Sequence, residues 1–423
     1  MILKKYWKYF LLAFLVIFFW YPVTQNNSFF YDDYGFIEVF ESGELTPGYF
    51  FEPHNEHFMP LFKFVFFIMF SIFGKNIPPY IWLLILAHIA NVIMFYYICK
   101  VIFKKKKLLP LVLTVFFLSN SAYYEIIHWF TLLSYAMPLL FLQLALVLLH
   151  QYTITKDNRF YFGSVFSSFF IPMNNMIGIF GIVFIFLFYY FILNKKFNLK
   201  ILVKDQELWK GYVIAQASFL SFYLIFTLDK FFGGSKGIAV GRVFENLIGG
   251  FVGFLLKSVG ISILMHPINI WVAGFLLVNF FAFSFILILY LLLNHKRVRT
   301  RISGDVGITL FSFGGALLSY LVVAIGRTDL EAGVFLNWGR YQFFPVFFLT
   351  IFIGNSMPQI VSIFSSIFSK GRVKKYLIFL FILYLIGQFM IIRQKAGSTV
   401  RLEGSIPSQK VYALIEKNTS AGI

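Results

Sequence analysis

The chain of 423 residues is 59% hydrophobic and only 13% charged, and its mean hydropathy is +0.79. This composition excludes a water-soluble globular protein and is typical of a polytopic, all-α membrane protein. The formal net charge of +18 does not indicate a nucleic-acid partner, because the basic residues cluster in short connections between apolar segments. The single cysteine, Cys99, lies in a predicted span and cannot form an intramolecular disulfide.

The first predicted span covers residues 6–23 and is preceded by the basic sequence KKYWK. These are the basic and apolar regions of a signal peptide. However, WYPVTQNN follows where a small-residue cleavage site would be needed. We therefore expect a retained first helix with its N-terminus in the cytoplasm.

A segment rich in polar residues follows the first span. It reads FFYDDYGFIEVFESGELTPGYFFEPHNEHFMP over residues 29–60 and holds 7 of the 18 acidic residues of the chain. Functional residues concentrate in loops that a rigid scaffold positions. This density of polar residues directly after a membrane anchor predicts that functional residues lie in the first outer loop, residues 24–79.

Residues 61–74 form an apolar stretch of only 14 residues, whereas a span needs about 20. The next stretch, 80–103, is long enough and ends at the lysine run 104–107. If 61–74 lies flat at the interface, the lysine run faces the cytoplasm, as the positive-inside rule prefers. We therefore predict interfacial helices in the first outer loop.

The rest of the chain completes a single transmembrane domain, residues 1–423, with about 11 spans. The further predicted spans are 108–121, 132–152, 160–174, 176–193, 211–228, 268–293, 306–326, 342–366 and 376–392. Residues 243–265 are rich in glycine and weakly amphipathic, which favours an interfacial or re-entrant segment. Residues 393–423 are expected to form a short outer tail.

The distribution of charge supports this topology. The N-terminus and the connections assigned to the cytoplasm carry 23 basic and 4 acidic residues, whereas the outer segments carry 13 and 14. The net charge is therefore a topology signal, and anionic lipid headgroups are the natural partner of the inner charge. We place the chain in the inner (cytoplasmic) membrane, with its polar loops facing the periplasm or the exterior.

Three polar clusters share the outer face under this topology. They are Asp32, Asp33, Glu56 and His57; Glu125, His128 and Trp129; and Arg327, Asp329, Glu331, Arg340 and Tyr341. Carboxylates that face arginines across an apolar cavity suit a reaction on a phosphate-bearing lipid. The carboxylate activates a hydroxyl, and the arginines hold the phosphate.

Each cluster also has a structural alternative. The acidic pair could begin an ordinary solvated loop, and Glu56 and His57 could be surface residues. Trp129 could belong to an interfacial aromatic belt, and Arg340 could be a snorkelling anchor. The single Glu-x-x-His pair in the second cluster is a weak metal signal, so a divalent metal is not indicated and the metal requirement is left open.

The order of these features resembles the GT-C superfamily of polyprenyl-phosphate-dependent glycosyltransferases, which includes protein O-mannosyltransferases and O-antigen-modifying glucosyltransferases. One span precedes an outer loop that begins with YDDYG and continues to HNEHFMPLFK and SIFG, and a long second span ends in a basic turn. GRYQFFP looks like the Arg-Tyr element that opens a late span in such enzymes. The chain departs from the family in its Asp-Asp pair, where protein mannosyltransferases typically show Asp-Glu, and in having no large soluble C-terminal domain.

The resemblance implies an inverting transfer of a sugar from an undecaprenyl-phosphate-linked donor to a surface-glycan acceptor. Asp33, or Asp32, would take the proton from the acceptor hydroxyl. Arg340, assisted by Arg327 or His57, would stabilise the departing lipid phosphate. The other expected substrate-binding residues are Glu56, Tyr341, Glu125, His128 and Trp129. The resemblance does not imply a specific cofactor. Because a lipid phosphate is already a good leaving group, positioning and charge stabilisation can suffice for the transfer.

Three alternatives remain open. One is a structural or immunity membrane protein, against which the density of polar residues in the first loop argues; the other two are functional classes. A glycan polymerase or ligase is expected to carry its main polar loop late in the chain, whereas here it is the first loop. A flippase or transporter for lipid-linked glycans is expected to show ionisable residues in the middle of its spans. In this chain the charges lie almost wholly at span ends.

Overall fold

The computed structural model describes residues 2–25, 28–30, 32–43, 45–54, 57–195, 205–233, 240–253, 304–326, 339–367 and 370–405. Over these residues the chain is an all-α membrane protein without a named β-strand, and His54 and His57 form an isolated backbone bridge. In chain order the helices are α1 (Ile2–Trp20), α2 (Asp32–Ser42), α3 (Pro60–Phe73), α4 (Pro78–Ile102), α5 (Leu109–Leu118), α6 (Tyr124–His128), α7 (Leu133–Thr155), α8 (Asn158–Phe170), α9 (Gly181–Leu187), α10 (Gln206–Gly233), α11 (Val240–Gly253), α12 (Gly304–Gly326), α13 (Phe343–Ile367) and α14 (Lys370–Ser405).

Helices α1 and α4 run antiparallel and define the two ends of the bundle. Tyr9, near the start of α1, packs edge-on against Tyr96, near the end of α4, with ring centroids 5.6 Å apart. Farther along, Trp20 packs against His88 and donates its indole N–H to the carbonyl of Leu118 at 2.9 Å. The loop between α1 and α4 therefore starts and finishes at one end, called here the loop end. The opposite end, which carries the lysine run after α4, is called the basic end.

Helices α2 and α3 lie side by side at the loop end. Phe40 packs edge-on against Phe66, and an ion pair of 2.8 Å joins Glu41 to Lys75 just beyond α3. The 14 residues of α3 extend about 21 Å, which is shorter than the roughly 30 Å thickness of a bilayer core. Because α4 then starts at the same end, α3 does not run the length of the bundle, in agreement with its predicted length.

A buried lysine fixes the turn that covers α3. The side chain of Lys63 is 2% exposed, and its ammonium group donates to the carbonyl of Tyr49 at 2.7 Å and to that of Glu52 at 2.8 Å. The same ammonium lies 4.0 Å from the centroid of the Tyr49 ring. Burial of a charge is tolerated when its donors are used in this way. The turn is therefore held tightly against the helix.

Six stretches of the described residues are long and apolar enough to cross a membrane. They are Tyr6–Gln25, Pro78–Ile102, Leu109–His128, Phe130–Thr155, Asp305–Ile325 and Lys375–Gly397. The predicted span 268–293 lies outside the described residues. The prediction of about 11 spans therefore stays a prediction.

Three predicted spans differ from the structure at their boundaries. Span 108–121 is interrupted, because α5 ends at Leu118 and the Asn120 side chain caps a short 3-10 turn that leads into α6. Span 176–193 becomes α9 with a π-helical continuation over Phe188–Asn194. The last helix, α14, continues past 392 to Ser405, so the first part of the predicted outer tail is helical.

The late helices return the chain to the loop end. The hydroxyl of Tyr320 in α12 donates to Gln342, just before α13. At the basic end, the side chain of Asn355 in α13 donates to the carbonyl of Asp305 at 2.9 Å. Helix α13 therefore begins at the loop end. The short 3-10 turn that precedes it, Gly339–Gln342, lies near the loop between α1 and α4, since Arg340 is within electrostatic range of Asp32.

Candidate functional site

Asp33 is a buried anchor at the start of α2. Its side chain is 1% exposed. Oδ1 accepts hydrogen bonds from the backbone N–H of Thr131 at 2.7 Å and from the Thr131 hydroxyl at 2.5 Å, and Oδ2 accepts one from the N–H of Phe30 at 3.1 Å. Burial raises the pKa of Asp33 to about 7, although the hydrogen bonds act in the other direction. This pKa suits a general base, but a base must also reach the proton it removes. The burial of Asp33 and its three hydrogen bonds favour a role in positioning neighbouring residues.

Asp32, the preceding residue, points away from this buried position. Successive residues of a helix are about 100° apart, so the two side chains of the pair have different surroundings. The side chain of Asp32 is 41% exposed, and its Oδ1 lies 3.9 Å from Nε2 of His54. The pKa of Asp32 is lowered, first by its interaction with His54 and further by the charges of Arg340 and His57. Asp32 is therefore an accessible carboxylate that faces positive charge.

Arg340 reaches the same place from the turn before α13. Its backbone N–H donates to Oε2 of Glu125 at 3.3 Å. Its guanidinium carbon lies 5.0 Å from the ring centroid of Trp129 and 5.4 Å from that of Tyr341. Stacking on aromatic faces orients the planar guanidinium group. Arg340 thus presents a fixed cation within electrostatic range of Asp32.

A row of rings joins the first outer loop to the Arg340 turn. The centroid of the His57 ring is 6.2 Å from that of Tyr135, which is 6.5 Å from that of Tyr341. Tyr341 is only 1% exposed. Tyr341 therefore packs behind the other rings of the row, whereas the half-buried His57 lies nearer the solvent.

The Glu-x-x-His pair of α6 does not converge on one point. Glu125 accepts the backbone N–H of Arg340, as described above. His128 is 8% exposed, its Nδ1 lies 2.7 Å from the carbonyl oxygen of Tyr124, and its ring packs edge-on against Phe30. Over the part of the chain that the structure describes, no group of three or more His, Cys, Asp or Glu residues is placed to hold a metal ion.

Lys395, in α14, is a cation of this region that the sequence prediction missed. Its ammonium group lies 5.6 Å from the ring centroid of Tyr124 and within electrostatic range of Glu125. Two turns earlier, the side-chain oxygen of Gln388 accepts the backbone N–H of Ser121 at 2.7 Å, which fixes α14 against the turn before α6. A polar Gln388 inside an apolar span was the available signal, since such residues usually have a buried partner.

An apolar cavity of about 520 Å³ lies at the loop end beside these residues. It is lined by Leu45, Thr46, Pro47, Phe50, Phe51, Pro60, Leu61, Phe64, Phe170 and Met173. Pro60 and Leu61 follow His57 by three and four residues in the chain. Most of the cavity wall thus comes from the loop that also carries Asp32, His54 and His57, and its lining suits a hydrocarbon chain.

The structure thus brings some of the predicted site residues together at one place and buries others next to them. The gathered residues, called here the mouth, are Asp32, His54, His57, Glu125, Trp129 and Arg340. The buried residues around the mouth are Asp33, His128 and Tyr341. Two predicted site residues, Glu56 and Arg327, lie outside the described residues.

Comparison of the chain with protein-family models, with curated proteins and with solved structures finds no match. Its function must therefore be argued from the chemistry of the mouth and from its surroundings in the bundle.

Proposed function

We propose that the chain is an inverting glycosyltransferase of the GT-C type. It would move a sugar from an undecaprenyl-phosphate-linked donor to a hydroxyl of a cell-envelope glycan such as O-antigen, on the outer side of the cytoplasmic membrane. The observation that carries the proposal is the meeting of Asp32, from the start of the chain, with Arg340, from its last third, at one mouth. About 11 spans and an outward-facing mouth belong to the same proposal.

The mouth offers the two groups that this reaction needs. Asp32 takes the proton from the acceptor hydroxyl while the hydroxyl oxygen attacks the anomeric carbon of the donor sugar. The bond between that carbon and the phosphate oxygen breaks, and the lipid phosphate leaves with the negative charge. Arg340 binds this phosphate through paired N–H donors, and Lys395 adds a second cation behind Glu125. The balance of the reaction requires no redox partner.

Asp33 takes a supporting role in this proposal. Its carboxylate holds Thr131, two residues after Trp129, and Trp129 in turn stacks against Arg340. Asp33 therefore links the start of α2 to the aromatic surface on which the arginine rests. The sequence prediction ranked Asp33 ahead of Asp32 as the base, and the burial of Asp33 favours the reverse order.

The apolar cavity beside the mouth supports a lipid-linked donor over a soluble nucleotide sugar. A polyprenyl chain needs an apolar path that begins next to the residues that bind its phosphate. Pro60 and Leu61, which line the cavity, belong to the same loop as Asp32, His54 and His57, and the cavity wall is almost entirely hydrocarbon. A water-soluble donor would gain nothing from this surface.

The placement of charge disfavours a transporter. In the six candidate spans, every Asp, Glu, Lys and Arg lies within the first or last five residues of its span. Transport pathways for ions and charged substrates usually place ionisable groups near the membrane centre. The described span interiors hold neutral polar contacts, such as that of Gln143 with Asn91 at 3.3 Å, and one buried imidazole, that of His88, which lies 3.3 Å from the carbonyl oxygen of Leu118.

The direct test is transfer itself. Membranes that contain the chain are incubated with radiolabelled undecaprenyl-phosphate sugars and with extracted surface glycans, and label in the glycan is measured. Membranes that contain Asp32→Asn serve as the control. Label that enters the glycan only with the unaltered chain supports the proposal. Flipping of the labelled lipid across proteoliposomes without glycan labelling would identify a transporter instead.

A further inference from the structure

A second charged feature lies at the basic end, far from the mouth. Helices α1 and α4 and the turn after α4 enclose a groove of about 430 Å³. Its lining includes five lysines, which are Lys8, Lys100, Lys104, Lys106 and Lys107. The groove plays no part in the proposed transfer, since the mouth is at the opposite end of these helices.

The lysines converge without acidic neighbours. The side-chain ion pairs found within 4.0 Å among the described residues involve none of the five. Three of them lie instead beside aromatic rings, with distances to the ring centroid of 5.7 Å for Lys8 over Trp7, 5.7 Å for Lys100 over Tyr96 and 5.9 Å for Lys106 over Phe103. Five lysines that line one groove, with no carboxylate of the described residues within 4.0 Å of any of them, favour a bound anion.

An apolar strip continues from the groove along α1. Trp7, which lines the groove, is followed at helical spacing by Phe10 and Phe14, so the three share one face. Their exposed fractions are 46%, 61% and 62%. An anion whose body is hydrocarbon would find its charged group among the lysines and its chains along this strip. A small inorganic anion would contact the lysines but not the strip.

We propose that the groove binds an anionic phospholipid from the leaflet at the basic end, which the positive-inside rule makes the cytoplasmic leaflet. The phosphate lies among the lysines, and the acyl chains follow Trp7, Phe10 and Phe14. A volume of about 430 Å³ is in the range of sites that enclose small organic groups, and exceeds what one phosphate fills. The inference is independent of the reaction proposed for the mouth.

Native mass spectrometry of the full chain tests this site. The protein is released from micelles that contain equal amounts of phosphatidylglycerol and phosphatidylcholine, and the retained lipid is identified. The test variant combines Lys100→Gln with Lys104→Gln. The matched control combines Lys156→Gln with Lys195→Gln, which removes the same charge from exposed lysines of the same end.

The unaltered chain and the control should each retain one phosphatidylglycerol in preference to phosphatidylcholine. The test variant should bind it about 10- to 30-fold more weakly, the effect expected for two lysines near an anionic headgroup. Replacement of the same two lysines by arginine should restore retention, which excludes a folding defect. Equal retention in the test and control variants would overturn the proposal. Displacement of the lipid by millimolar inorganic phosphate would overturn the lipid assignment, because it would show a simple anion site.

Discussion

Paired substitutions at Asp32 and Asp33 separate the proposed catalytic base, Asp32, from the proposed anchor, Asp33. Asp32→Asn removes a carboxylate that is 41% exposed and whose neighbour His54 is 3.9 Å away. Exposed pairs of this kind contribute about 0–1 kcal/mol to stability, so the unfolding temperature should hardly change. Loss of a general base should reduce kcat by about 100- to 10,000-fold.

The Asp33→Asn variant should show the opposite pattern, with a larger loss of stability and a smaller loss of kcat. The amide oxygen can still accept both hydrogen bonds from Thr131, but the amide nitrogen then faces the N–H of Phe30, which now has no acceptor. A buried donor left in this state costs about 1–3 kcal/mol. The unfolding temperature should therefore fall by several degrees, while kcat in the folded fraction should fall less than in Asp32→Asn.

The pH dependence of stability provides an independent readout for the anchor. Burial raises the pKa of Asp33 from 3.8 to about 7, so the folded chain holds a proton that the unfolded chain releases earlier. The resulting stability is fully present below about pH 4 and is lost as pH rises through about 7. The Asp33→Asn variant should lack this component of the slope, whereas the Asp32→Asn variant should keep it.

Both variants are assayed by transfer of radiolabelled sugar in membranes, by thermal unfolding in detergent, and by unfolding between pH 4 and pH 8. Full activity in Asp32→Asn together with complete loss in a well-folded Asp33→Asn would refute the reasoning. The base would then be the buried carboxylate, and the loop end would have to open during the reaction.

Three further predictions concern the cations and the topology. The Arg340→Lys variant should insert into the membrane normally, but its transfer rate should fall on the order of 100-fold. Lysine lacks the planar guanidinium group that stacks on Trp129 and can bind two phosphate oxygens. Near-normal activity would favour a simple membrane anchor. The Lys395→Met variant should bind the donor lipid about 10-fold more weakly in a donor titration, with unchanged helix content. Unchanged binding would exclude Lys395 from the site. An impermeant maleimide should label Lys75→Cys in intact cells but Lys105→Cys only after permeabilisation, and the reverse pattern would contradict the topology.

The sequence predicts which loop carries the proposed site, but it does not distinguish the roles proposed for Asp32 and Asp33. The density of carboxylates after the first span and the shortness of 61–74 are properties of composition and length, so both could be found without a structure. The roles of Asp32 and Asp33 could not, because the two residues are chemically identical. Their difference arises from Thr131, which caps the carboxylate of only one of them from a distant part of the chain.

Lys395 was missed for a related reason. Hydropathy ends the last span where charged residues begin, which placed this lysine in an outer tail. The helix instead continues to Ser405, and within it the ammonium group of Lys395 lies near the ring of Tyr124 and the carboxylate of Glu125. Tertiary contacts of this kind are invisible to a window that scores each residue by itself.

The two charged regions of the molecule discriminate between anions in different ways. At the mouth the carboxylates of Asp32 and Glu125 oppose the cation of Arg340 and that of the neighbouring Lys395, so an ordinary anionic headgroup gains little net attraction by entering it. The basic groove has no such balance and should attract any anionic lipid of its leaflet. Selection of a donor at the mouth must therefore come from what the bulk lipids lack. The sugar can contact the polar residues of the mouth, and the long polyprenyl chain can fill the apolar cavity beside it. On the proposed function, the mouth distinguishes its donor from other anionic lipids by the sugar and the polyprenyl chain and not by charge, which is the discrimination that a lipid-linked sugar transferase requires.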